Sequence, residues 1–198
     1  MKEMLSHKKS LDILKKTNAL LEGHFILSSG LHSSKYIQCA KLLSFPSKAE
    51  IICKSLSSKI KKKFNEIDLI LAPAMGGIII GYEIGRLLKI ETIFCERVNG
   101  KFVLRRGFRI KKGSKVLIIE DVITTGKSSM ECVKLIHKAK AKLVGFAALI
   151  DRSTKKSLKI KKKIVSHLKL DVPTFKSSQL PRDLKSIPIT VPGSRFIK

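Results

Sequence analysis

A parallel α/β sheet covered by helices on both faces is the fold this sequence predicts, and three observations predict it. Short, mainly apolar runs at residues 67–72, 92–96, 116–119 and 143–150 have the length and β-branched content of buried strands. Between them lie stretches with apolar residues every three or four positions, so strand and helix alternate. The 198 residues, 43% of them hydrophobic, suffice for one domain with a substantial core and require no second.

Taken in order, Leu11, Leu14 and Leu21 recur at near-helical spacing and predict an amphipathic helix over residues 4–21. Phe25-Ile26-Leu27 reads as a strand, Ser29-Gly30 as a turn and Tyr36-Ile37-Gln38-Cys39 as the departing strand. Ile52, Leu56, Ile60 and Phe64 repeat every four residues and predict a helix. After the strand at 67–72, Pro73-Ala74-Met75-Gly76-Gly77 is a turn feeding a helix through about residue 88. Gly77, Gly81 and Gly85 share one face of that helix and predict close packing on the sheet; the dinucleotide fingerprint G-x-G-x-x-G is absent. Beyond residues 92–96, Asn99-Gly100 predicts a β-ribbon within a loop. A strand starts at Lys115, a helix covers 126–141, and a further buried strand covers 143–150 and ends at Asp151-Arg152. The Pro- and Ser-rich tail from Pro173 is expected to wrap the surface.

Composition narrows the function classes. Cys39, Cys53, Cys95 and Cys132 are scattered, without C-x-x-C, which argues against a disulfide scaffold or zinc site and for a reducing cytoplasm. The first nine residues lack an apolar core of signal-peptide length. The most apolar window, 78–90, is interrupted by Glu83 and Arg86 and is too short to cross a bilayer, so no membrane is expected. A net charge of +26 raises nucleic acid as a partner, yet the excess is 33 Lys against 8 Arg. The runs Lys59-Ile60-Lys61-Lys62-Lys63, Lys155-Lys156 and Lys161-Lys162-Lys163 carry no interleaved aromatics. They read as solvated faces of a lysine-biased chain, and no specific nucleic-acid partner is expected.

The richest stretch is Val116-Leu117-Ile118-Ile119-Glu120-Asp121-Val122-Ile123-Thr124-Thr125-Gly126-Lys127-Ser128-Ser129. Its first half is a buried strand ending in two acids. Its second half offers hydroxyls, an ammonium and backbone N–H groups at the start of a helix, where free amides and the positive dipole end favour an anion. A P-loop is rejected by spacing, because the first glycine of G-x-x-x-x-G-K-[ST] would fall at Asp121. Two acids beside an anion cradle suit a ligand carrying both a polyol and a phosphate. A buried strand with an N-capping Thr and a chance acid pair is the plainer alternative, weakened because buried carboxylates demand partners.

Glu120-Asp121-Val122-Ile123-Thr124-Thr125-Gly126 resembles the motif of type I phosphoribosyltransferases. Phe25-Ile26-Leu27-Ser28-Ser29-Gly30-Leu31-His32-Ser33 resembles the F-x-L-x-S-G-x-x-S hood of the orotate phosphoribosyltransferases, and Asp151-Arg152 resembles their D-R. Pro73-Ala74-Met75-Gly76-Gly77-Ile78, Glu96-Arg97 and Leu104-Arg105-Arg106-Gly107-Phe108 look like one bacterial branch, as does the ending Val191-Pro192-Gly193-Ser194-Arg195.

The resemblance implies a type I phosphoribosyltransferase fold over residues 1–198, with a hood at about 1–45 and a flexible lid at about 96–109. It implies transfer of a 5-phosphoribosyl group from 5-phosphoribosyl-1-diphosphate to orotate, with Mg²⁺ held mainly by diphosphate and water rather than by a protein metal site. Glu120 and Asp121 would hold the ribose hydroxyls. Val122, Ile123, Thr124, Thr125, Gly126, Lys127 and Ser128 would complete the donor's site. Thr124 and Arg152 would contact orotate, and Arg97 and Lys101 would act from the lid, alongside Arg105 and Arg106. A homodimer is implied as well.

The chain departs from many relatives at Ser28 and Gly76, where they carry lysines, and in a lid without histidine. Leu180 and Asp183 stand where some of the branch carry a cysteine pair, so no metal is expected there. A salt bridge to Asp151 is the plainer reading of Arg152. A purine phosphoribosyltransferase, or a non-catalytic regulator of this fold that binds nucleic acid, are the competing functions.

Overall fold

The chain runs from α1 (His7–Lys16) through β1 (Leu20–Ile26), β2 (His32–Ile37), α2 (Cys39–Leu43) and α3 (Pro46–Lys63) to β3 (Leu69–Pro73). Then come α4 (Gly76–Leu88), β4 (Thr92–Val98), β5 (Lys101–Val103), β6 (Lys115–Ile123), α5 (Lys127–Lys138), β7 (Lys142–Asp151) and β8 (Ile164–Lys169). β9 (Thr174–Phe175), α6 (Arg182–Lys185) and β10 (Ile189–Thr190) close the chain. This computed structural model describes residues 5–27, 29–154, 158–161 and 163–192. The expectations placed on Ser28, Lys155, Lys156, Lys162, Gly193, Ser194 and Arg195 lie outside the described residues.

The main sheet has the order β5-β4-β3-β6-β7-β8 and is parallel except for β5. β6 sits centrally because residues 116–119 are apolar enough to be buried on both sides. Alternation then sorts its side chains: Leu117 and Ile119 pack with Ile52, Leu56 and Ile60 of α3 and Ile80 and Ile84 of α4. Val116 and Ile118 pack with Cys132, Val133 and Ile136 of α5 on the other face. The expected glycine face of α4 does lie against the sheet. A Cβ on Gly81 would stand 2.8 Å from Ala72 Cβ, and one on Gly85 would meet the Thr92 side chain and the Ile90 carbonyl. The chain moves from β3 out to β4 and returns past β3 to β6. The strand order therefore reverses between β3 and β6, whose carboxyl ends open the crevice in which such sheets bind ligands.

The Asn99-Gly100 ribbon is present: φ is 49° and 76° at these residues, as the tight turn joining β4 to β5 requires. Other expectations need correction. The first helix stops at Lys16, not 21, because Thr17 Oγ1 donates to the Ile13 carbonyl at 2.8 Å and Asn18 takes φ 53°. Leu20 and Leu21 then belong to β1, which begins five residues before the expected strand. The tail does more than wrap the surface. β9 pairs with β2 and β10 with β1, completing a second sheet, β10-β1-β2-β9, whose two inner strands alone would leave unpaired edges. A buried histidine relay ties it in: His24 Nδ1–H donates to the Ile187 carbonyl (3.1 Å), so His24 Nε2 accepts from His32 Nδ1–H (2.7 Å).

β8 extends the sheet edge beyond what the sequence suggested, and one of its residues carries a pH dependence. Ser10 Oγ donates to the Ser6 carbonyl and accepts from His167 Nε2–H at 2.8 Å, fastening α1 to β8. Lys59 Nζ donates to the Ser166 and His167 carbonyls at 3.1 and 2.7 Å. Burial, then the charges of Lys59 and His7, push the His167 pKa from 6.5 down to about 4. Above pH 6.5 the imidazole is neutral in folded and unfolded chains alike. Between pH 6.5 and about 4 only the unfolded chain gains the proton, so stability falls with pH across that window. In urea unfolding, the wild type should lose about 2 kcal/mol more than His167→Gln between about pH 7 and 4.5. Equal losses would assign the acid sensitivity elsewhere.

Candidate active site

Glu120 and Asp121 are consecutive on β6, so their side chains leave on opposite faces. Glu120, 8% exposed, turns toward α5, where Ser129 Oγ donates to its Oε1 in a short hydrogen bond. Burial lifts its pKa from 4.5 to about 7, against the Ser129 hydrogen bond and the Arg97 charge and with the help of Asp121. Asp121 turns toward α4; its Oδ1 accepts from the Val122 N–H at 2.8 Å, and burial raises its pKa as well. A Cβ on Gly76 would lie 2.5 Å from Asp121 Oδ2. Glycine at 76 is thus what lets this carboxylate rest against the first turn of α4, and a lysine there would displace it.

Beyond the acids the chain folds into the expected cradle. Glu120, Val122, Ile123, Thr124, Thr125, Gly126, Lys127 and Ser128 line a small open cavity of about 70 Å³. Thr125 Oγ1 accepts from the Lys127 N–H at 3.3 Å, and the Thr125 carbonyl accepts from the Lys159 N–H at 3.0 Å. Gly126 precedes α5 with φ 73° and supplies no side-chain cap, and with Lys127 and Ser128 it brings the start of the helix to the cavity wall. Asp121 is not among the lining residues, since its face of the strand looks the other way.

Arg152 follows β7, its N–H donating to the Ile123 carbonyl at 2.8 Å. The ion pair with Asp151 is not made. Asp151 Oδ1 accepts from the Ser153 N–H at 2.8 Å, and its other oxygen faces Lys169 Nζ at 3.8 Å. Arg152 Nε is buried without a partner among the described residues, and burial lowers the guanidinium's pKa. The titratable groups that interact with it are the Cys39 thiol and the Tyr36 phenol. Cys39 also donates to the Asp121 carbonyl at 3.9 Å, so α2 lies between Asp121 and Arg152.

Of the two lid cations expected to be catalytic, Arg97 is brought near Glu120 and Lys101 is not. Arg97 pairs with Glu131 of α5 at 2.8 Å, donates to the Gly100 carbonyl at 2.6 Å and stacks 4.0 Å over the Phe102 ring. Lys101 is exposed at the hairpin tip and is not among the residues lining the cavity. Glu131 is the residue sequence reasoning missed, and Ser129, read there as one of the cradle hydroxyls, instead turns to Glu120 and is not among the residues lining the cavity. Ser129 shares the buried stripe of α5 with Cys132, Val133 and Ile136, and a hydroxyl on that stripe was the available signal.

A carboxylate pair and an anion cradle at the reversal of a parallel sheet define a phosphoribosyltransferase, and residues 46–178 match the phosphoribosyl transferase domain family. The chain is 44% identical over 194 residues to an orotate phosphoribosyltransferase of Parvibaculum lavamentivorans, covering 98% of this chain and 100% of that protein. It is 44% identical over 185 residues to one from Caldicellulosiruptor bescii, covering 93% and 96%. The crystal structure of an orotate phosphoribosyltransferase from Aeropyrum pernix shares the fold at a TM-score of 0.68 and 23% identity, covering 80% of this chain and 92% of that one. The chain belongs to the orotate phosphoribosyltransferase family of type I phosphoribosyltransferases.

The cradle's geometry makes a direct prediction. A Cβ at Gly126 would stand 2.7 Å from the buried Ile160 side chain, on a backbone that already has φ 73°. Gly126→Ala should lower stability by about 1–3 kcal/mol and abolish binding of ribose 5-phosphate, read by thermal melting and calorimetric titration. Unchanged binding would show that the anion sits elsewhere.

Proposed function

We propose that the protein is an orotate phosphoribosyltransferase, transferring the 5-phosphoribosyl group of 5-phosphoribosyl-1-diphosphate to orotate in pyrimidine biosynthesis. Full-length similarity to proteins of that name supports the reaction. The observation that carries the choice of base is the buried, unpartnered Nε of Arg152 beside Tyr36 and Cys39. A planar pyrimidine bearing a carboxylate supplies the missing anion, whereas a purine leaves the guanidinium unsatisfied.

In this reading residues 124–128 take the 5-phosphate, with Val122 and Ile123 as the wall of the site. Glu120 and Asp121 accept from the ribose hydroxyls, and Thr124 and Arg152 hold orotate. The bond from C1 to diphosphate breaks with its electrons leaving on diphosphate, and orotate N1 forms the new bond. Positive charge that builds on C1 meets two carboxylates on the strand below, so stabilisation is electrostatic and needs no covalent nucleophile. Residues 96–109 form the lid, from which Arg97 and Lys101 act on the diphosphate and exclude water. The site's oxygen donors suit Mg²⁺, and among the described residues no three His, Cys, Asp or Glu side chains gather into a metal cluster. Asp121 and Glu120 would hold the ion through water, and its charge would favour the departing diphosphate.

One domain over residues 1–198, with residues 1–45 as hood, is the unit proposed. Met75, Ile79 and Tyr82 are 82%, 53% and 66% exposed on successive turns at the start of α4, which supports a homodimer. No described helix is long and apolar enough to cross a membrane. The four free, buried cysteines suit a reducing cytoplasm. We assign the lysine surface no specific nucleic-acid partner.

Two measurements test the reading. Mixed with Mg²⁺ and 5-phosphoribosyl-1-diphosphate, the protein should deplete the orotate absorbance band, and Arg152→Ala and Asp121→Asn should slow this by about 10²-fold or more. Turnover of adenine or hypoxanthine with orotate inert would replace the substrate. Second, Glu120 titrates near pH 7 in the free protein, and its protonated form loses acceptor capacity for the ribose. kcat/KM for the diphosphate sugar should therefore rise through pH 7 and level off above about pH 8. Glu120→Gln should remove that limb, whereas a limb surviving in the variant would belong to the substrate.

A further inference from the structure

The two lid arginines that the sequence left without individual roles are already bound to an anion of the protein itself. Glu96 Oε1 accepts from Arg106 Nε at 2.9 Å, and Oε2 faces Arg105 Nη1 at 3.8 Å. The carboxylate is 20% exposed, whereas the two arginine side chains are 59% and 61% exposed. Their backbone is a tight turn: the Phe108 N–H donates to the Arg105 carbonyl at 2.9 Å, with φ 59° at Arg106 and 76° at Gly107. Phe94, two residues before Glu96 and so on the same face of β4, clamps the turn. Its ring meets Phe108 edge-on at 5.1 Å and lies 5.7 Å from the Arg106 guanidinium. Two guanidiniums on a fixed turn thus face one carboxylate, which leaves the group with a net positive charge and few acceptor oxygens.

We infer that Glu96 is an internal counter-anion that holds Arg105 and Arg106 until a diphosphate group displaces it; this rests on the lid reading above. Diphosphate brings more charge and more acceptor oxygens than one carboxylate, so it competes well for both forks. The exchange keeps the arginines paired and ordered while the site is empty, and it weakens retention of the diphosphate product. Arg97 is held separately by Glu131, so it is not part of the exchange.

Calorimetric titration of the full-length protein with inorganic diphosphate and Mg²⁺ tests this. Glu96→Gln should bind about threefold tighter than wild type, the scale of one partly exposed ion pair. The gain should shrink between about 0.05 and 0.5 M salt. It should disappear in an Arg105→Gln/Arg106→Gln background, and Glu96→Asp, which keeps the charge, should bind like wild type. Unchanged or weaker binding by a Glu96→Gln protein that melts like wild type overturns the inference. So does a gain that survives without the arginines, or absence of diphosphate binding in every variant. Orotate is not in this titration, so failure of orotate turnover would sink the proposed substrate and leave the Glu96 comparison standing.

Discussion

A central strand that is apolar on both faces must nevertheless end in two ionisable groups, and the rest of the site is organised by that constraint. Because β-strand side chains alternate, Glu120 and Asp121 leave β6 on opposite faces and are held by different helices. Glu120 is delivered to α5, where a serine on the helix's buried stripe meets it, and Asp121 is delivered to α4, where only a glycine leaves room. Each helix therefore carries one residue whose identity is dictated by an acid on the strand. The cradle follows from the same geometry: the Thr125-Gly126-Lys127 turn leads from β6 into α5, so the helix start that carries Ser129 to Glu120 also lines the cavity.

These features were legible because they are local. The run from Val116 to Ser129 contains its own strand, acids, turn and helix start, and nothing distant is needed to read it. The α4 glycines and the Asn99-Gly100 ribbon were legible for the same reason, one by helical spacing and the other by the positive φ its turn demands. What stayed hidden depends on pairing across the chain. β1 was obscured because Leu20 and Leu21 extend a helical pattern that Thr17 and Asn18 end by backbone geometry. β9 and β10 are two residues each and exist as strands only through the hairpin they flank. Glu131 and the pairing of Ser129 with Glu120 were invisible because the partners lie on other elements.

The scarcity of acids makes their placement informative. With 15 acidic residues against 41 basic ones, carboxylates are the limiting resource for pairing charge. Glu96, Glu120, Asp121 and Glu131 nevertheless gather on β4, β6 and α5 around the crevice, and all but Asp121 contact an arginine or a helix hydroxyl. Lysines elsewhere stand largely in solvent, where they contribute little to stability but raise the potential around the molecule. An anionic donor and an anionic base are both drawn by such a field, so a composition that pointed away from specific nucleic-acid recognition is compatible with small anionic substrates.

Two groups of opposite sign are left electrostatically incomplete, and the two are complementary to one reaction. Burial leaves Glu120 only about half ionised at pH 7, although in the proposed reaction it faces the sugar as that becomes electron-poor. Burial likewise disfavours the charge on Arg152 and leaves its Nε without an acceptor. A neutral ligand would relieve neither. In the proposed reaction a base carrying a carboxylate would satisfy the guanidinium, and a sugar gaining positive charge at C1 would favour the ionised form of Glu120, so each group would be stabilised most when both reactants are bound and the bond to diphosphate is stretching. On that reading binding energy would be directed toward the transition state rather than the resting complex, which is what differential stabilisation requires.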